Sequence, residues 1–140
     1  MRIVAQKVKN AKVEVDGIIT GEISKGILIL LGIEHEDTEE DADWLINKVS
    51  KLRIFKDQNG VMNFSIKDVG GDFLVVSQFT LHASTKKGNR PSYIKAAKSE
   101  VAKKIYDQFL ISIENKIKKK PFSGFFGADM LVKIENDGPV

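Results

Sequence analysis

Gly26-Ile27-Leu28-Ile29-Leu30-Leu31-Gly32 is apolar at every position between its two glycines. A run this short and this uniformly apolar reads as a central strand covered on both faces. A second buried strand opens at Phe73-Leu74-Val75-Val76 and turns polar at Ser77-Gln78. Upstream, Val13 and Val15 alternate with Lys12, Glu14 and Asp16, and Asp16-Gly17 offers a hairpin turn into Ile18-Ile19. Downstream, Asp37-Thr38-Glu39-Glu40 supplies helix-start signals. Ala42, Leu45, Ile46, Val49 and Leu52 then recur at helical spacing, which predicts a helix from about Thr38 to Leu52.

Further along, a short strand at Arg53 to Phe55 precedes the turn Asp57-Gln58-Asn59-Gly60. Residues Thr85 to Asn89 are polar and contain glycine, hence a loop. A long helix follows from about Ser92 or Ser99 to Ile117, with Val101, Ile105, Phe109 and Ile113 facing inward, and Pro121 lies beyond its end. After a Gly/Phe-rich turn at Ser123 to Gly127, the residues Ala128, Met130, Val132 and Ile134 alternate as in a one-faced strand. Two helices cannot wrap both faces of such a sheet. The expected fold is therefore α/β: a three-layer β/β/α sandwich with mixed sheets and two main helices on one side.

With 140 residues the chain fits a single domain, 1–140. Its 42% hydrophobic and 29% charged fractions are those of a globular protein. It has no cysteine, which excludes disulfides and thiolate chemistry. The opening MRIVAQKVKN lacks the apolar core of a signal peptide, and no run has the length of a membrane span. A soluble, cytoplasmic protein is expected. The net charge of +3 suits a polyanionic partner without demanding one. Lys116 to Lys120, broken by Ile117, reads as a solvated helix end.

Several catalytic sets can be set aside. The two histidines, His35 and His82, do not make a zinc site without cysteines at ligand spacing. No phosphate-binding glycine loop is present. Ser77 and His82 lack the nucleophile elbow of a hydrolase triad. His82 reads as a polar residue at a strand end, and Trp44 as a helix-surface or core aromatic rather than a stacking platform. Three segments resist such plain readings. Ser77-Gln78-Phe79-Thr80-Leu81 interrupts a buried strand with groups that are costly to bury unpaired. Gly88-Asn89-Arg90-Pro91-Ser92 is a loop whose proline can start a helix. Gly138-Pro139 contains a bond that can be cis at modest cost.

These three segments, in this order, resemble the D-aminoacyl-tRNA deacylase family. The similarity also covers Gln6-Lys7-Val8, Val13-Glu14-Val15-Asp16-Gly17, Leu52-Arg53-Ile54-Phe55, Leu74-Val75-Val76 and Phe126-Gly127-Ala128-Asp129-Met130. The resemblance implies a homodimer that hydrolyses the ester of D-aminoacyl-tRNA, and of mischarged glycyl-tRNA, without metal or organic cofactor. It implies a pocket for the 3′ end of the tRNA beside Ser77, Gln78, Phe79 and Thr80, with the N–H groups of Phe79 and Thr80 facing the oxyanion. It places Gly138, Pro139, Met130 and Lys7 on the substrate-binding side. The Gly-Pro dipeptide, in cis, enters the partner subunit's pocket and excludes L side chains. The attacking water would be assisted by a ribose hydroxyl of the tRNA itself. Two residues depart from the family pattern: Lys7 stands where arginine is usual, and Tyr93 where phenylalanine is usual. The alternatives are a non-catalytic RNA-binding module and a metabolite hydrolase with a Ser or Thr nucleophile.

Overall fold

The computed structural model describes residues 1–140. Three strands come first: β1 (Arg2–Val15), β2 (Ile18–Ile23) and β3 (Gly26–Gly32). Asp16 and Gly17 both take positive φ, 50° and 78°, as the expected Asp-Gly hairpin turn requires. Helix α1 (Glu39–Val49) follows, then the small strands β4 (Phe55–Lys56) and β5 (Met62–Phe64). Next come β6 (Asp72–Ser77), a 3-10 turn over Phe79–His82, helix α2 (Ser99–Ile117), β7 (Phe122–Ser123) and β8 (Leu131–Asn136). Neither helix is long and apolar enough to cross a membrane.

The long strand β1 organises the sheet. Its residues 2–8 pair with β3, residues 11–15 pair with β2, and residues 8–14 pair with β8. Since β2 and β8 both pair with positions 11–14, they lie on opposite edges of β1. Beyond β3 the sheet continues in parallel through β6 to β7, so it is mixed, as expected. The two β layers are halves of one hydrogen-bonded sheet bent on itself, with β4 and β5 forming a separate hairpin.

Alternation along β3 and β6 divides the core. Ile27, Ile29, Leu31, Phe73 and Val75 join the helices in one cluster. Leu28, Leu74 and Val76 turn the other way and pack with Val8, Ala11, Val13 and Ile23. Each such buried aliphatic or aromatic side chain contributes roughly 1.5–3 kcal/mol. Gly26 allows β3 and β6 to lie close: a Cβ there would sit 2.0 Å from Asp72 O.

Both helices differ in detail from the sequence expectation. In α1 the Thr38 N–H donates to Asp41 Oδ2 at 2.8 Å, fixing the start, and the helix ends at Val49 rather than Leu52. Helix α2 starts at Ser99, not Ser92, because Ser92 is tied to Ser84 by two 2.9 Å backbone bonds. Its inward stripe is Ala102, Ile105, Tyr106, Phe109 and Ile113, while Val101 is 48% exposed. The residues Ala128 and Met130 precede β8 instead of belonging to it, and Ile134 is exposed.

Candidate active site

The buried apolar run of β6 ends where Ser77 lies opposite Leu31, and Gln78 donates its N–H to Leu31 O at 2.7 Å. The chain then tightens into the 3-10 turn. Its internal hydrogen bonds begin with Leu81, whose N–H donates to Gln78 O at 3.3 Å. The N–H groups of Phe79 and Thr80 stand ahead of that first bond, without partners inside the turn. The Gln78 amide Nε2 donates to Thr80 Oγ1, so the threonine hydroxyl is held by an amide and not by a base. Phe79 is exposed and meets Tyr93 edge-on, ring centroids 5.1 Å apart.

That contact joins two of the three segments singled out in the sequence. The loop 85–91 is closed at its base by the Ser84–Ser92 bridge, and Tyr93 immediately follows. Arg90, Lys86 and Lys87 project from the loop, all exposed. The turn is braced from beneath. Tyr106 of α2 donates its hydroxyl to Val75 O at 2.8 Å, and burial pushes that hydroxyl well above the ordinary tyrosine pKa. His82 is buried, with Nδ1 2.9 Å from Glu34 Oε1 but not aligned for a hydrogen bond. Arg2 of β1 donates to Leu81 O at 2.5 Å.

The third segment lies elsewhere. Lys7 is almost fully buried, yet its Nζ reaches Asp137 Oδ2 at 3.3 Å. The Asp137 N–H donates to Lys7 O at 2.8 Å. These two links fix the backbone just before Gly138-Pro139, whose peptide bond is cis. Met130 packs against the second core cluster and against Gly124, where a Cβ would lie 2.4 Å from its Sδ. The strands β8, β1, β3 and β6 run side by side in that order. Within one chain no hydrogen bond or ion pair joins Lys7, Met130, Gly138 or Pro139 to Ser77 to Thr80, although Met130 packs on the second core cluster, which includes Val76.

Glu34, Gly32 and Tyr106 were not singled out by sequence reasoning. Glu34 and Tyr106 gave no pattern, since each acts through a contact across elements. Gly32 closes the apolar run, and a Cβ there would lie 2.9 Å from His82 Nε2 and 3.0 Å from Gln78 O.

A family model described as D-Tyr-tRNA(Tyr) deacylase matches residues 4–140. The chain belongs to that family. It is 59% identical over 140 residues to a D-aminoacyl-tRNA deacylase of Flavobacterium johnsoniae, covering 100% of this chain and 93% of the relative. A D-aminoacyl-tRNA deacylase of Bacteroides thetaiotaomicron is 56% identical with the same coverage. A solved structure titled "c-Myc DNA Unwinding Element Binding Protein" superposes with a TM-score of 0.94 at 39% identity, over 100% of this chain and 95% of that one. Another, titled as a probable eukaryotic D-amino acid tRNA deacylase, superposes with a TM-score of 0.83 at 15% identity, over 98% and 94%. At that identity it speaks for the fold alone.

The deacylase thus presents two backbone donors at a strand end, an exposed aromatic edge and a cationic loop. Backbone N–H groups in such a position can stabilise a developing oxyanion. No group of three or more His, Cys, Asp or Glu side chains is placed to hold a metal.

Proposed function

We propose that this deacylase hydrolyses the ester of D-aminoacyl-tRNA, and of mischarged glycyl-tRNA, to free tRNA and amino acid. The observation that carries this is the pair of unspent amides, Phe79 and Thr80, beside a hydroxyl with no base. An aminoacyl ester is already activated, so positioning it and stabilising its oxyanion are the main needs. Water adds to the carbonyl carbon, and the charge that develops on the carbonyl oxygen is met by the two N–H groups. The ester C–O bond then breaks and the ribose oxygen leaves with a proton. The neighbouring ribose hydroxyl assists the water. Thr80 as a nucleophile would need an activating base, and its hydroxyl contacts the Gln78 amide instead. Arg90, Lys86 and Lys87 are placed to meet tRNA phosphates. Charged tRNA sets the cytoplasm as its place of work.

The chiral gate is proposed to come from a second subunit. In the single chain, Gly138-Pro139 lies away from the turn, and a Cβ on Gly138 would meet nothing within 4 Å. Lys7 and Asp137 hold the dipeptide outward, where it can enter a partner's pocket in a homodimer. There it rejects an L side chain by collision, a specificity built on exclusion. Glycine has no side chain to reject and passes. Met130 supports this face through the second core.

The test is turnover of D-tyrosyl-, glycyl- and L-tyrosyl-tRNA by the purified protein. Release of D-tyrosine and glycine, with L-tyrosyl-tRNA spared, is expected. A structurally similar protein is titled for DNA binding, which gives the rival reading of nucleic-acid retention. Tight retention of tRNA with no turnover would establish that rival. Mixing a subunit altered at Gly138-Pro139 with one altered at Ser77 to Thr80 tests the gate. One site per heterodimer is then intact, so activity returns on mixing two inactive forms. Confirmed subunit exchange without recovery rules the cross-subunit gate out.

A further inference from the structure

Away from the turn, a cavity of about 460 Å³ opens on the outer side of α1. It is lined by Trp44, Asn47, Lys48, Lys51, Leu52 and Arg53. The spacing explains the lining. Ala42, Ile46 and Val49 turn into the core, so positions 44, 47, 48 and 51 fall on successive turns of the opposite face. Trp44 is the chain's single tryptophan and is 61% exposed. Lys48 Nζ stands 5.4 Å from its ring centroid. Arg53 is fixed by donating from Nε to Asn63 O at 2.8 Å. Neither the two lysines nor Arg53 forms an ion pair with a carboxylate.

The lining of the cleft holds three cations and no acid. Arg53 also donates from Nη2 to Asn63 Oδ1, and, after the Ser65 hydroxyl, its charge helps hold the Asp68 carboxyl below the usual carboxylate range, so Lys48 and Lys51 are the freer cations. An exposed aromatic ring beside such lysines suits RNA, with phosphates on the cations and a base on the ring. The cleft is separate from the hydrolytic turn. None of its lining residues belongs to the 77–82 turn or to the 85–93 loop that meets it.

We infer that this cleft is a second RNA-contact site, which holds the body of the tRNA away from its reacting 3′ end. A phosphate sits among Lys48, Lys51 and Arg53, and a base stacks on Trp44. This rests on the aminoacyl-tRNA reading of the active site.

Because Trp44 is the only tryptophan, its fluorescence reports this cleft alone. Titration with uncharged tRNA should quench it saturably. The slope of log affinity against log salt should fall by about one for Lys51→Ala. Trp44→Ala should raise KM for D-tyrosyl-tRNA about tenfold with kcat kept, the scale of one lost stacking contact. Hydrolysis of D-tyrosyl-adenosine, which lacks the tRNA body, should be unchanged in both variants. Three results overturn the inference: no quenching while D-tyrosyl-tRNA is hydrolysed, equal quenching by dextran sulfate, or equal loss on D-tyrosyl-adenosine. If tRNA quenches Trp44 but no D-aminoacyl ester is cleaved, the RNA contact stands and the deacylation reading fails.

Discussion

Replacing Gly32 by alanine places a methyl group behind the proposed oxyanion site without touching the Phe79 and Thr80 amides that would meet the oxyanion. The added Cβ would lie 2.9 Å from His82 Nε2 and 3.0 Å from both His82 Cδ2 and Gln78 O. Comfortable contacts need roughly 3.5–4.0 Å, so something must move by about 0.5–1 Å. His82 has little room, being buried with Glu34 Oε1 2.9 Å from its Nδ1. Gln78 is tied to Leu31 O at 2.7 Å. Overpacking of this kind costs about 1–3 kcal/mol of stability. The turn carrying Phe79 and Thr80 starts at Gln78, so their N–H groups shift with it. A misplacement approaching 1 Å lowers a rate by up to about a hundredfold. Single-turnover hydrolysis of D-tyrosyl-tRNA at saturating enzyme should therefore slow by about ten- to a hundredfold. Urea unfolding measures the stability loss in parallel. Ile113→Val is the control: it trims the core by about 0.5–1.5 kcal/mol and should leave the rate alone. A destabilised Gly32→Ala protein that still reacts at the parental rate refutes the role given to the turn.

Three further outcomes are expected. Tyr106→Phe should cost about 1 kcal/mol in urea unfolding, a modest value because Val75 O keeps a 3.4 Å bond from Gly124 N–H. The buried Tyr106 hydroxyl keeps its proton above pH 10, where an unfolded tyrosine releases it, so stability should fall as pH rises past 10, and less steeply in Tyr106→Phe. Thr80→Ala should retain most turnover, whereas replacing the terminal 2′-hydroxyl of the tRNA by hydrogen should abolish most of it; the reverse order would make Thr80 the nucleophile. Exhaustive chelation should leave hydrolysis intact, and activity lost to a chelator and restored by zinc would contradict a chain with no cysteine and two histidines.

Where burial is local, the sequence was readable. The runs 26–32 and 73–76 could only be covered strands, and Asp16-Gly17 could only turn. In α2, Ile105, Phe109 and Ile113 face inward as the spacing predicts, and only Val101 turns out, its place taken by Ala102. The stripe also contains Tyr106, whose hydroxyl finds Val75 O only in the folded chain. The strand β8 alternates as a covered strand should, yet Leu131 and Ile134 remain exposed in the single chain. At the site, Ser77 to Thr80 stood out because polar groups broke a buried run. Lys7 gave no such signal, since a lysine in a strand normally points to water. Its burial depends on Asp137, 130 positions away, and no local pattern encodes such a pairing.

The placement of β8 on the outer edge of β1 has a consequence for how the protein is made. Residues 8–14 are made more than a hundred residues before their edge partner at 131–136. Until 131–136 is made, the outer edge of residues 8–14 has no strand beside it, and an open edge next to apolar positions such as Val8, Ala11 and Val13 invites pairing with other chains. The nascent deacylase is therefore exposed to aggregation until β8 emerges, and slowing translation between residues 15 and 131 should lower the soluble yield more than slowing it after residue 136.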